Sequence, residues 1–378
     1  MLLSNAGICN GAFELVDADL EIEGGTIREI LPRGARAGGM DLSGLLVLPG
    51  FIDQHIHGCA GADTCDNDPD AFKTMSAYLA TQGVTSFCAT TMTVPFSRIT
   101  GILDNARSFM DSDFSGASLA GVHLEGPYLS GGRSGVQNPD YIRKPDFEEF
   151  KSLADRYPGL IRIVDVAPET EGAADFIRNA SKICTVSLSH SIADYDCARE
   201  SFSEGISQVT HLFNAMTGIN HRAPGAAAAV LDDGKAKAEI ICDGLHVHPA
   251  LLRMAFALLG EERTIIISDA MRAAGCPDGE YLLGDQTVRV VNGRTCFGDG
   301  RMAGSTTSIG REVRNLLSYG IPFGQVIRSA TINPAVQIGM DSRIGSIEKQ
   351  KIADLTVVDS DMNIRKVFVR GREVFSAM

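Results

Sequence analysis

His55 and His57 stand two residues apart in the apolar stretch Val47-Leu48-Pro49-Gly50-Phe51-Ile52-Asp53-Gln54-His55-Ile56-His57-Gly58. Side chains on a strand alternate faces, so both imidazoles point one way and Ile56 the other. Two imidazoles so placed can grip one metal ion, or they can be two polar residues at a strand end. Other apolar runs also close on polar groups: Glu125 after Leu119–Leu124, His190 after Thr185–Ser189, His211 after Val209-Thr210, and Asp269 after Ile265–Ser268. Each alone reads as a hydrogen-bonded loop residue or a helix cap. Together, four histidines, a glutamate and an aspartate are the ligand types of a divalent transition metal, so the chemistry in prospect is that of a metal site.

Such residues meet only if the chain gathers the strand ends. Eight apolar strand candidates end near His55, Thr91, Glu125, Glu169, His190, His211, His246 and Asp269, with helical patterns between most of them, as in Asp70–Gln82, Ser97–Met110, Asp146–Arg156, Asp194–Glu204 and Pro249–Leu259. Eight such units predict an α/β fold, a TIM-like (β/α)8 barrel with its catalytic groups at the C-terminal strand ends. A doubly wound open sheet is the rival, and no G-x-G-x-x-G follows the first strand to support it. The ends of the chain differ. Asp19–Glu23, Thr26–Ile30, Asp354–Asp359, Ile364–Val369 and Glu373–Phe375 read as short strands around Gly-rich turns. Residues 1–48 and 347–378 are expected to form a small β-sandwich domain, and 49–346 the barrel, with a β insertion near 279–300. After that insertion Met302-Ala303-Gly304 leads into a helix, and this loop can be structural or substrate-lining.

Composition narrows the classes. With 378 residues, 44% hydrophobic and 21% charged, the chain has the make-up of a globular protein. A net charge of −13 argues against non-specific nucleic-acid binding and requires any anion site to be local. Nine cysteines without a CxxC pair fit reduced thiols and a cytoplasmic setting. Met1–Ala6 lacks the features of a signal peptide, and no apolar run reaches membrane-span length, so no membrane association is expected.

The strand-end histidines and Asp269 resemble the amidohydrolase superfamily. His123-Leu124-Glu125-Gly126-Pro127, His211-Leu212-Phe213-Asn214-Ala215-Met216, Asp243-Gly244-Leu245-His246 and Ser268-Asp269-Ala270-Met271 narrow the resemblance to the N-acetylglucosamine-6-phosphate deacetylases, nearly end to end. The resemblance implies a metal held by Glu125, His190 and His211, and a second ion at His55 and His57. Zinc or iron leads, and manganese or cobalt also suit such ligands. The fourth strand, Ile163–Glu169, carries no lysine, so Glu125 serves as the carboxylate ligand. Asp269 is implied as the group that takes a proton from metal-activated water and passes it to the departing amine. His246 and Arg222 are implied at the substrate phosphate, with Asn214 and Ala215 contributing, and Arg222 reaches the neighbouring subunit's site in a homodimer. Arg222 without the resemblance is a solvated loop charge, and His248 is structural.

Three departures bear on the sugar. Val136-Gln137-Asn138-Pro139 stands where many members have a histidine, and Gln137 can hydrogen-bond a sugar without carrying charge. Arg222-Ala223-Pro224-Gly225 replaces Arg-Glu-Pro-Gly, and Ser189-His190-Ser191 replaces Gly-His-Ser. Met216–Arg222 also resembles the N-acetylgalactosamine-6-phosphate deacetylases, whose substrate differs at one hydroxyl. The expected partner is thus a phosphorylated N-acetyl amino sugar, the gluco epimer first. A barrel kept only as a binding scaffold should have lost one of Glu125, His190, His211 or Asp269, and all four are present.

Overall fold

The computed structural model of the protein describes residues 1–377. Eight parallel strands, Phe51–Ile56, Val84–Thr91, Ser118–Leu124, Ile161–Val166, Thr185–Leu188, Gln208–Val209, Lys237–Ile241 and Thr264–Ile267, pair in chain order. The last meets the first where the Asp269 N–H donates to the His55 carbonyl at 3.0 Å and the His57 N–H to the Ala270 carbonyl at 2.9 Å. The sheet therefore closes into a barrel, which excludes the doubly wound alternative. Helices Pro69–Thr81, Phe96–Met110, Phe147–Arg156, Ala173–Ala180, Tyr195–Glu204, Ala226–Asp232 and Pro249–Arg263 separate successive strands. Asp68, Asp146 and Asp194 cap three of them, each side chain accepting an N–H of the first turn. Among the described residues, no helix is long and apolar enough to cross a membrane.

The barrel interior changes character along its axis. Ile52, Cys88, Ala120 and Ile163 form an apolar floor against Ile338 and Ile344. Burying each of these isoleucines contributes about 1.5–3 kcal/mol. Above the floor lies a solvent-free polar layer of Gln54, His123, Asp165, Ser187, Gln208 and Glu239. The strand-end histidines and acids come above that. The first strand loses regular register with the second between Asp53 and Ile56. Gln54 and His55, adjacent in sequence, consequently both reach Glu239, which a regular strand would forbid.

The terminal segments build one sheet in which Leu46–Pro49 pairs antiparallel with Leu355–Val358, joining the two ends of the chain. It curls until Thr26 bridges Ile352, around a core that includes Leu3, Leu20, Ile27, Leu355 and Phe368. The stretch from Val47 to Ile56, read above as one run, is two strands in two sheets. They part at Gly50, whose N–H donates to the Asp354 carbonyl at 2.8 Å and where a Cβ would lie 2.1 Å from Thr85 Oγ1. The fourth and seventh strands stop at Val166 and Ile241, short of Glu169 and His246. Pro168 lacks an N–H for the ladder, and Asp243 accepts the N–H groups of Leu245 and His246 in a turn. The β insertion expected near 279–300 is a three-stranded meander, Gly279–Leu283, Gln286–Val291 and Arg294–Cys296, over the barrel mouth.

Candidate metal centre and active-site cavity

Glu125 is the hub. It is 2% exposed, and its Oε1 lies 3.1 Å from His190 Nε2 and 3.0 Å from His211 Nε2. Its Oε2 is 3.2 Å from His57 Nε2, and His55 Nε2 stands 3.8 Å from Oε1. Asp269 closes the ring, with Oδ1 3.2 Å from His57 Nε2 and 3.5 Å from His55 Nε2. The backbone at His190, His211 and Asp269 is left-handed, with φ of 43°, 33° and 47°. Such conformations cost about 1–3 kcal/mol each and occur where the surroundings over-determine them. Here they turn three strand-end side chains toward one centre.

The tautomers point to a cation. Each of the four histidines has Nδ1 against an acceptor: the Arg133 carbonyl for His190 at 2.9 Å, the Asn214 carbonyl for His211 at 3.2 Å, the Thr90 carbonyl for His57 at 3.3 Å and the Glu239 carboxylate for His55 at 3.0 Å. Nδ1–H donates in each neutral ring, which leaves four Nε2 lone pairs facing inward. His190 Nε2 and His211 Nε2 are 3.3 Å apart, and His55 Nε2 is buried without a hydrogen-bond partner. Lone pairs so crowded call for positive charge among them, a metal ion or added protons. Three ligand sets could fit a metal ion: Glu125–His190–His211 and His55–His57–Glu125, which share Glu125 beneath the cavity, and His55–His123–Glu239 in the buried layer below. Imidazole and carboxylate donors without thiolate suit the divalent ions named above.

With protons in place of a metal ion the Nε2 atoms donate instead, and the same crowding then shapes the charges. Burial would raise the Glu125 pKa, but hydrogen bonds from His190, His211 and His57 hold it well below the ordinary carboxylate range. Burial would lower His211, and the hydrogen bond and charge of Glu125 lift it instead to about 9. Asp269 is likewise desolvated yet held below its usual value, chiefly by His57. It is therefore ionised at neutral pH and able to accept a proton.

A cavity of about 460 Å³ opens above the centre, within the range of small-molecule sites. His57, Glu125, His190, His211 and Asp269 form its base, and Val136, Asn214, Ala215, His246, Met302 and Gly304 line it. His246 Nδ1 is held by Asp243 at 2.8 Å, leaving Nε2 free. Gly304 has φ of 61°, and a Cβ there would lie 3.3 Å from the Asp269 carbonyl. Four sequence candidates stand elsewhere. His55 lies beneath the cavity, buried completely. Ala303 packs inward, also without exposure. Gln137, expected at the sugar, is 1% exposed and spends its carboxamide on the protein: Nε2 donates to Glu125 Oε2 at 2.7 Å and Oε1 accepts the Thr93 N–H at 2.6 Å. Arg222 is exposed on the loop after the sixth strand and does not line this chain's cavity. His248 caps the helix Pro249–Arg263, the structural role expected of it.

Sequence reasoning missed Arg133 and Arg301, two cations at the cavity wall, and the layer below the site. Glu239, His123 and Asp165 are buried completely, and Asp165 accepts from His123 Nε2 at 2.8 Å and Thr210 Oγ1 at 3.0 Å. A signal was present for Glu239: an acid inside the apolar strand Ala238-Glu239-Ile240-Ile241 has no place in a barrel wall unless it is paired.

Known proteins resemble this chain. The chain is 38% identical over 334 residues to the N-acetylglucosamine-6-phosphate deacetylase of Vibrio furnissii, covering 88% of this chain and 83% of that one. It is 35% identical over 360 residues to the N-acetylgalactosamine-6-phosphate deacetylase of Escherichia coli, covering 95% of both. Among solved structures, a variant N-acetyl-D-glucosamine-6-phosphate deacetylase from Mycobacterium smegmatis, in complex with N-acetyl-D-glucosamine-6-phosphate, superposes with a TM-score of 0.94 at 31% identity, over 100% of this chain and 99% of that one. The model of the amidohydrolase family matches residues 46–374, and the chain belongs to that family.

Proposed function

We propose that the protein hydrolyses the acetamide of N-acetyl-D-glucosamine 6-phosphate to D-glucosamine 6-phosphate and acetate, in amino-sugar catabolism or recycling. The observation that carries this reading is the convergence of four imidazole Nε2 atoms on Glu125 with ionised Asp269 beside them, under a cavity of monosaccharide size. Glu125, His190 and His211 hold one divalent ion and His55 with His57 a second, zinc or iron first among the candidates. When bound, such an ion supplies Lewis acidity toward water and toward the amide carbonyl. Asp269 Oδ1 accepts a proton from the attacking water and returns it to the sugar nitrogen as the C–N bond breaks. Gln137 keeps Glu125 in place through its 2.7 Å hydrogen bond.

His246, Asn214 and Ala215 take the phosphate end. Arg222 completes it from a second copy of the chain, its planar fork suited to paired hydrogen bonds with phosphate. Leu251, Met254 and Leu258 support a dimer: they form one exposed apolar face on the helix Pro249–Arg263, at 43%, 58% and 56% exposure. Nine unpaired thiols favour a reducing, cytoplasmic compartment.

The test is acetate release by metal-loaded protein from the gluco and galacto 6-phosphates side by side, with unphosphorylated N-acetylglucosamine as control. Preference for the gluco epimer is expected. The 35% identity to the Escherichia coli relative over 95% of both chains keeps the galacto epimer as the second reading, and preference for it would retain the mechanism and change the substrate. No release from any sugar, with metal bound, would refute the substrate class.

A further inference from the structure

Glu239 is a carboxylate with no exposure at all. Its Oε1 accepts from Gln54 Nε2 at 2.7 Å and Gln208 Nε2 at 2.9 Å, and its Oε2 faces His55 Nδ1 at 3.0 Å. A glutamine in its place would satisfy both neighbouring carboxamides and avoid burying a charge. The one thing a glutamine could not do is take the Nδ1 proton of His55 while still accepting from Gln54 and Gln208. The three other imidazoles of the centre get that service from backbone carbonyls. Only His55 depends on a side chain for it, and His55 Nε2 is also the ring nitrogen left buried and unpartnered, 3.5 Å from Asp269 and 3.8 Å from Glu125.

We propose that Glu239 is a positioning residue: by accepting from His55 Nδ1 it holds the tautomer whose Nε2 lone pair faces Glu125 and Asp269, and so makes the His55–His57 end of the site able to hold an ion. The proposal rests on the reading of a second ion at His55 and His57. Carboxylate–histidine pairs of this kind orient the rings of metal ligands. The irregular register between Asp53 and Ile56 turns Gln54 and His55 to the same acid, so backbone and side chain serve one end.

Glu239→Gln tests it. To keep both glutamine hydrogen bonds, the new amide must point its NH2 at His55 Nδ1, which drives the ring to the opposite tautomer with the proton on Nε2. The measurement is titration of metal-free protein with Zn²⁺ alone, reading stoichiometry and both affinities. Wild type is expected to take two ions. The variant should keep the Glu125–His190–His211 ion at unchanged affinity and bind the second about 10–100-fold more weakly. Two ions at unchanged affinities in the variant would overturn the role of Glu239 and leave the two-ion reading intact. One ion in the wild type would overturn the two-ion reading and this inference with it. Imidazole ¹⁵N shifts of metal-free protein, assigned with His55→Gln, give an independent check that survives a variant that fails to fold. Wild-type His55 should carry its proton on Nδ1, and a proton on Nε2 there would refute the proposal.

Discussion

Gln137→Ala separates two roles for one residue. A glutamine at the rim of a sugar pocket would bind substrate, whereas the structure buries Gln137 between Glu125 and the Thr93 backbone. Truncation removes a hydrogen bond to a charged acceptor, about 1.5–3 kcal/mol, and strands the buried Thr93 N–H, about 1–3 kcal/mol. The two losses share a partner, so the expected destabilisation is roughly 2–5 kcal/mol rather than their full sum. At about 2–4 °C per kcal/mol for a chain of this class, the metal-free Tm should fall by on the order of 10 °C. Glu125 loses an orienting partner as well, and metal affinity should drop about 10–100-fold. Thermal unfolding and Zn²⁺ titration are read beside KM for the sugar phosphate, with metal in excess. Unchanged Tm and metal affinity, with KM raised tenfold or more, would refute the reasoning and return Gln137 to the sugar.

Three further outcomes are expected. Asp269→Asn keeps the side-chain volume and tolerates the left-handed backbone at φ 47°, so the fold and metal content should persist while kcat falls about 10²–10⁴-fold; near-normal turnover removes Asp269 from proton transfer. Arg222→Ala should raise KM for the phosphorylated sugar about 10–100-fold, the worth of a lost charge-assisted hydrogen bond, and spare the unphosphorylated one; equal effects on both would exclude a phosphate role. Burial lifts Asp354 from 3.8 to about 6, partly offset by the Arg370 N–H it accepts. The folded state then binds more protons than the unfolded state between those values. This contribution to stability is fully present below pH ~4 and is lost as pH rises through ~6, a change of about 3 kcal/mol. Asp354→Asn, which can still accept the Arg370 N–H, should flatten that limb of the Tm–pH curve, and an unaltered curve would refute the burial argument.

The sequence alone was enough to place Glu125, His190, His211 and Asp269 at one mouth. Apolar runs of strand length ending in ligand-type residues, with helical spacing between them, admit few closed arrangements, and the barrel is the simplest. Helical spacing also marked the helices that start at Asp146 and Asp194, and His248 was read as structural; that Asp68 and His248 cap helices came only with the fold. What depended on pairs far apart in the chain was not legible. Glu239 and His55 are 184 residues apart, and Gln54 and Gln208 are 154 apart. No spacing rule links them. The irregular register that turns Gln54 and His55 toward one acid is a property of the strand's pairing, and the alternation argument could not foresee it. Gln137 was misplaced because a carboxamide suits a sugar hydroxyl and a carboxylate equally; only the packing of Val136–Asn138 under the mouth chooses Glu125. Residue types and periodicity determined which groups could do chemistry and at which strand ends, because those are local properties. Tertiary structure decided which nitrogen of each histidine faces the centre and which buried acid holds it there, because a tautomer is set by the acceptor folding brings to the other side of the ring.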